Sequence, residues 1–229
     1  MNERLKMLLL SACLWASACS SSAPQAGPVT KTEAPAAAAG AEKEKEAAIN
    51  EARNNPLAGI TGAFEKALAA QAFRAQLEST AEGRTSQVRY EFVAPDRFRM
   101  RNGPTELVVI GEAAYLKTLG SWQKAASGMP EQVKVIHNPA IIEQVKQATE
   151  AKFLQADVLN GQPMLVYEYV STNLLGLEVT TYSKTWVGMF DGLPYKSEIA
   201  GLLGSVKTKG VLTWTDYNAD IKIDSPIKE

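Results

Sequence analysis

"AFRAQLESTAEGRTSQVRYEFVAPDRFRMRNGPTELVVIGEAAYLKT", residues 72–118, alternates apolar and polar side chains in short runs. The runs are parted by Glu82-Gly83, Pro95-Asp96 and Asn102-Gly103. A period of two belongs to strands with one buried and one wetted face, and turns this short make consecutive strands antiparallel. Phe73, Ala75 and Leu77 stand against Arg74, Gln76 and Glu78; Val88, Tyr90 and Phe92 against Arg89 and Glu91; Phe98 and Met100 against Arg97, Arg99 and Arg101. The stretch therefore predicts a meander, greasy on one face and charged on the other.

The flanks add helices and more strands. Asn55 and Pro56 read as an N-cap with proline at the first helical position, and Leu57, Ile60, Phe64 and Leu68 recur at helical spacing up to about Ala70. "NPAIIEQVKQATE" repeats the device, with Asn138 and Pro139 ahead of Ile141, Ile142 and Val145. Strands resume after it, with hairpin signals at Asn160-Gly161 and Asp191-Gly192. The fold class expected is α+β, with about nine to eleven strands and two main helices. A sheet that wide curls, and two helices with apolar stripes are its natural cover.

Composition removes several classes of function. The 229 residues carry 24 basic and 25 acidic side chains, a net charge of −1 with the signs interspersed, so nothing recruits nucleic acid. The single histidine, His137, precedes the second helix, and no cysteine follows Cys19. That leaves no His-rich or thiolate metal site and no Cys-His pair. There is no Gly-rich phosphate loop and no G-x-S-x-G elbow. Asp216 and Asp220 read as solvated surface. No enzyme and no cofactor are expected.

The N-terminus reads as an export signal: Arg4 and Lys6, the apolar run "MLLLSACLWASA", then a serine- and alanine-rich tract. Only about a dozen apolar residues lie between Lys6 and Ser20, where a membrane span needs about 20. Both cysteines of the chain, Cys13 and Cys19, fall here. A cysteine after small residues at the end of an apolar run resembles the bacterial lipobox, whose thiol receives diacylglycerol, with palmitate among the acyl groups. "LSAC" at Cys13 matches the local pattern but leaves a short apolar core; "ASAC" at Cys19 leaves a core of ordinary length, so Cys19 is the expected lipid-bearing residue. A plain secretory signal cut after "ASA" is the alternative. The organisation expected is a signal peptide at 1–18, a flexible tether at 19–55 starting from lipidated Cys19, and one domain at 56–229. Residues 20–55 hold almost no large apolar side chain, although "AEKEKEAAINEAR" favours helix. Ser20 is not the aspartate that in some bacteria retains lipoproteins at the inner membrane. The location expected is the cell envelope, lipid-anchored and periplasm-facing, with the outer membrane possible, or otherwise extracytoplasmic.

"YEFVAPDRFRMR", "TELVVIGEAAYLKTLGSWQK", "FDGLPYKSEI" and the closing "WTDYNADIKIDSP" resemble the LolA/LolB-like superfamily of periplasmic lipoprotein carriers and related lipid-carrying lipoproteins. The likeness spans Pro56 to Pro226. It implies a LolA-like half-barrel capped by helices around an apolar cavity that takes lipid or lipoprotein acyl chains. The sorting carrier itself is soluble, whereas this chain reads as anchored, which favours a tethered binder or receiver of lipid.

Candidate lining residues are Phe73, Leu77, Tyr90, Phe92, Phe98, Met100, Val109, Leu165, Tyr167, Tyr169 and Trp186. Each is equally what a curled sheet needs merely to fold. Leu174, Leu175, Leu177, Leu202 and Leu203 put leucine beside glycine in two loops, as a lipid-entrance rim or as plugs folded over the open end. Arg97, Arg99 and Arg101 are available either to lipid phosphates or to solvent. A second reading is a structural or assembly lipoprotein whose half-barrel is filled and whose outer surface docks a protein. The anchor is testable directly: Cys19→Ser should move the protein from the membrane to the soluble fraction, and acylation persisting at Cys13 with unchanged partition would overturn the choice of cysteine.

Overall fold

The computed structural model describes residues 35–125, 140–146, 150–171, 180–203 and 206–227. The signal at 1–18, Cys13 and Cys19, His137, and Leu174, Leu175 and Leu177 lie outside the described residues. Helices α1 (Pro35–Asn54) and α2 (Pro56–Ala69) precede strands β1 (Ala72–Ala81), β2 (Arg84–Val93), β3 (Arg97–Asn102), β4 (Thr105–Ile110), β5 (Ala113–Thr118) and β6 (Ser121–Lys124). Helix α3 (Ala140–Lys146) leads to β7 (Glu150–Leu159), β8 (Gln162–Ser171), β9 (Thr180–Gly188), β10 (Pro194–Leu203) and β11 (Val206–Thr215). Leu202 and Leu203 fall at the end of β10.

All eleven strands form one antiparallel sheet in the order β6-β5-β4-β3-β2-β1-β11-β10-β9-β8-β7. It is two meanders joined in the middle, where β1 pairs with β11 from Arg74↔Thr215 to Ala81↔Thr208. The sheet does not close; β6 and β7 are its edges. This is the curled, helix-covered sheet that the alternating pattern predicts, and the open half-barrel that the resemblance implies. The left-handed turns at Glu82-Gly83 (φ 50° and 75°) and Asn160-Gly161 (φ 53° and 80°) fix the registers of β1–β2 and β7–β8. A bulge between Phe153 and Gln155 interrupts the edge strand β7.

The alternation decides which side chains face inward. Phe73, Ala75, Phe92, Phe98, Leu107, Val109 and Ala114 on one meander, and Leu165, Tyr167, Tyr169, Val187 and Trp214 on the other, make one buried cluster. α2 closes over it with Ile60, Ala63, Phe64 and Ala67, and α3 with Val145. The outer face carries charge instead. Arg74 pairs with Glu91 at 3.1 Å and Asp216 at 2.9 Å, Arg99 with Glu91 at 2.9 Å and Glu106 at 3.4 Å, and Arg101 with Glu106 at 3.2 Å. Arg97 donates to the Ile223 carbonyl at 2.6 Å. These arginines are therefore engaged by neighbouring carboxylates and backbone rather than left for phosphates. Beyond β11 the chain runs back over the outside, where Ile221 and Ile223 pack on Val108 and Tyr115.

Two sequence expectations change. The stretch 19–55 is helical from Pro35, and its last turns belong to the core: Ala52 is 2% exposed, with Ala48 and Ile49 packed beside it. The narrow stripe Ala48, Ile49, Ala52 is enough because it meets a preformed apolar surface. Asn55 does precede α2, but its side chain makes no cap; its Nδ2 donates to Glu51 Oε1 at 2.8 Å, across the elbow between the helices.

Gly59 lets α2 sit directly on the sheet, since a Cβ there would lie 2.6 Å from the Tyr167 hydroxyl. Gly59→Ala would gain about 1 kcal/mol of helix propensity but overpack a buried ring, at about 1–3 kcal/mol. The second effect should win, lowering the melting temperature by roughly 2–4 °C per kcal/mol lost. Adding Tyr167→Phe should restore part of it. A single variant as stable as the parent would show that the ring yields freely.

Candidate functional site

The inner face of β8–β11 and the helices above it leave an apolar cavity of about 100 Å³ among the described residues. Its roof is Phe64 of α2 and Val145 of α3; Leu212 and Trp214 of β11 wall one side, and Ile199 of β10 lies near them. Phe64 meets Tyr169 and Trp214 edge-to-face, with ring centroids 6.5 and 6.4 Å apart. These contacts seat the helix without filling the space under it. The floor is different: Ser171, Thr181, Ser183 and Ser197 line it, and all four are buried. At about 100 Å³ the cavity is below the roughly 300–1,000 Å³ of small-molecule sites.

Two tyrosines stand in the inner face next to it. Burial pushes the Tyr167 phenol up to about 12, with Glu51 of α1 adding to the effect. Burial also raises Tyr169, partly offset by the Ser183 and Thr185 hydroxyls beside it. Two larger hollows lie on the outer face. One, of about 400 Å³, runs among Glu78, Glu168, Tyr182, Lys184, Glu198 and Lys209; the other, of about 230 Å³, lies over the Arg74–Glu91–Arg99 ladder. Both are open and edged by charges. Hydrocarbon gains most where water is excluded, which singles out the smaller inner cavity.

Of the predicted lining residues, Phe73, Phe92, Phe98, Val109, Leu165, Tyr167 and Tyr169 are buried in the inner cluster, and Tyr90 and Met100 pack against it. Leu77 is on the same face, opposite Leu212. Tyr169 is the member of that set that lines the cavity. Trp186 faces the other way: it packs with Met164 and Val166, donates to Asp157 Oδ2 at 2.8 Å and lies under Lys184 and Lys196 at 4.6 and 4.3 Å. In "TTYSKTWVG" Thr181, Ser183 and Thr185 point in together with Val187, while Tyr182, Lys184 and Trp186 point out. Reading by size alone therefore puts Trp186 on the inner face and passes over Thr181 and Ser183. Phe64 and Val145 were visible as apolar helix positions, but sequence does not place them over the cavity. Among the described residues no cluster of His, Cys, Asp and Glu could hold a metal, and no helix is long and apolar enough to cross a membrane.

No family model matches the chain, and no curated protein matches it. Solved structures do. The lipoprotein LppX of Mycobacterium tuberculosis superposes with a TM-score of 0.54 at 12% identity, over 73% of this chain and 97% of that one. LprF of Mycobacterium bovis gives a TM-score of 0.54 at 8% identity, over 82% and 98%. The fold of nearly the whole of each of these two proteins is thus shared by about three quarters or more of this chain, at identities that speak for architecture alone.

The raised phenols set a direction for alkaline stability. A phenol held above its unfolded value of about 10 keeps its proton in the folded chain while the unfolded chain loses it. Stability is therefore intact below pH 10 and falls from there to about pH 12, where Tyr167 ionises. Urea denaturation at pH 9 and pH 11.5 should show this loss, and Tyr167→Phe should lessen it. An equal loss in the variant would remove Tyr167 from the cause.

Proposed function

We propose that the chain is a cell-envelope lipoprotein, anchored through Cys19, that binds a lipid by its acyl chain in the inner cavity without transforming it. The observation that carries this is the apolar hollow between the β8–β11 face and α2 and α3, set in a fold shared with a protein that is itself a lipoprotein. Burial of each methylene contributes about 0.8 kcal/mol. A chain of ordinary length needs more room than the resting cavity offers. It gains that room if α2 and α3 shift away from an open sheet whose edges are not bonded to each other. The headgroup would then be left in water.

The larger outer hollow of about 400 Å³ favours a second reading, an assembly lipoprotein that docks a protein on its outer face. One experiment separates the two. The purified full chain should co-purify with lipid in native mass spectrometry and take up a fluorescent fatty acid. Leu212→Trp, which fills the cavity from β11, should cut that uptake about tenfold or more while leaving the sheet's circular dichroism intact. Uptake unaffected by the filled cavity, or no uptake by the parent, would leave the docking reading alone.

A further inference from the structure

Six buried polar side chains are found among the described residues: Thr61, Ser171, Thr181, Ser183, Thr185 and Ser197. All but Thr61 fall on three adjacent strands, on the inner face of β8, β9 and β10. The registers place them as a grid, with Ser171 opposite Thr181, Tyr169 opposite Ser183, and Ser197 opposite Thr185. The inner face of the other meander is different, with Phe73, Phe92, Phe98, Leu107 and Val109 in the equivalent layer. The half-barrel thus has a greasy half and a hydroxyl half, and the cavity lies over the latter.

A sheet that needed only to pack, or to hold bare hydrocarbon, would gain by carrying valine and alanine here. A hydroxyl taken out of water costs about 1–3 kcal/mol unless it finds a partner. These hydroxyls partner mainly one another. Thr185 Oγ1 and Ser197 Oγ are 2.7 Å apart, Ser183 and Thr185 adjoin the Tyr169 phenol, and Thr181 donates to the Ser171 carbonyl at 3.4 Å. Tyr169, Ser183, Thr185 and Ser197 form an open chain of four hydroxyls with three contacts. Each hydroxyl brings one proton and each contact uses one. One of the four protons therefore points outside the set, on a wall shared with an apolar cavity.

We infer that this hydroxyl floor is a subsite for the ester carbonyl of an acyl lipid, which accepts a hydrogen bond from the Ser183–Tyr169–Thr185–Ser197 chain while its hydrocarbon lies under Phe64 and Val145. The subsite rests on the lipid-binding reading above and narrows its ligand to acyl esters over bare alkanes. It also gives the ligand a register: the ester sits inside, at the level of Ser183.

The test compares two ligands of matched chain length, methyl palmitate and heptadecane, in displacing a fluorescent fatty acid from the full chain. One added hydrogen bond predicts that the ester displaces the fatty acid at about tenfold lower concentration. In Thr185→Val combined with Ser197→Ala that ratio should fall to about one, with circular dichroism and a cooperative melt reporting the fold. Ser197→Ala alone, expected to lower the ratio part of the way, serves if the pair fails to fold. Equal displacement by both ligands in the parent would overturn the subsite while sparing the lipid reading; this is also the result if the floor holds only water. A ratio unchanged in the variants would overturn it too. Displacement by neither ligand would remove the lipid reading and the subsite together.

Discussion

The pairing of β1 with β11 is what makes one sheet out of two meanders. Each half is built from neighbours joined by tight turns, so each sets its own register locally. Only the eight partners from Arg74↔Thr215 to Ala81↔Thr208 bring the halves to a common face. A slip of one residue there would turn Leu212 and Trp214 outward and put Val211 and Thr213 under α2. The inner cluster, the seating of Phe64 on Tyr169 and Trp214, and the cavity itself all depend on that one register.

Most of the fold could be read from the residues because its signals are local. Period-two alternation and Gly-containing turns such as Glu82-Gly83 and Asn160-Gly161 act over a few residues and need no tertiary context. The β1–β11 pairing joins segments well over a hundred positions apart, and no pattern in either strand names its partner. Helix α1 was half legible: its alanines favour helix, but that Ala52 would be buried depends on an apolar surface built elsewhere. The site was the least legible part. Size marked Trp186 as interior, whereas parity with Val187 on the same strand puts it outside, stacked under two lysines. The small Thr181, Ser183 and Ser197 carry no signal by themselves. Their meaning appears only when three strands align them.

The two faces obey different rules. Outside, Glu91 would be pushed up by burial alone, yet the hydrogen bonds from Arg74 and Arg99 hold its carboxyl below the usual range. Such surface pairs add little stability each, about 0–1 kcal/mol. They do keep a long row of arginines occupied and fix which face is wet. Inside, the balance is between hydrocarbon contact and hydroxyl desolvation, both far from water.

The bulge in β7 bears on how copies of this protein behave side by side. An open sheet ends in a row of unpaired amides and carbonyls, a template on which another chain can grow. Between Phe153 and Gln155 that row loses its regular spacing, and the charged Lys152 and Asp157 flank the break. The border exposes Leu154 and Val158 at 38% and 65%, so it is not polar enough to be safe by composition alone. Its irregular backbone is what discourages edge-to-edge growth, a safeguard that matters most when molecules are crowded on a common surface and meet repeatedly in the same orientation.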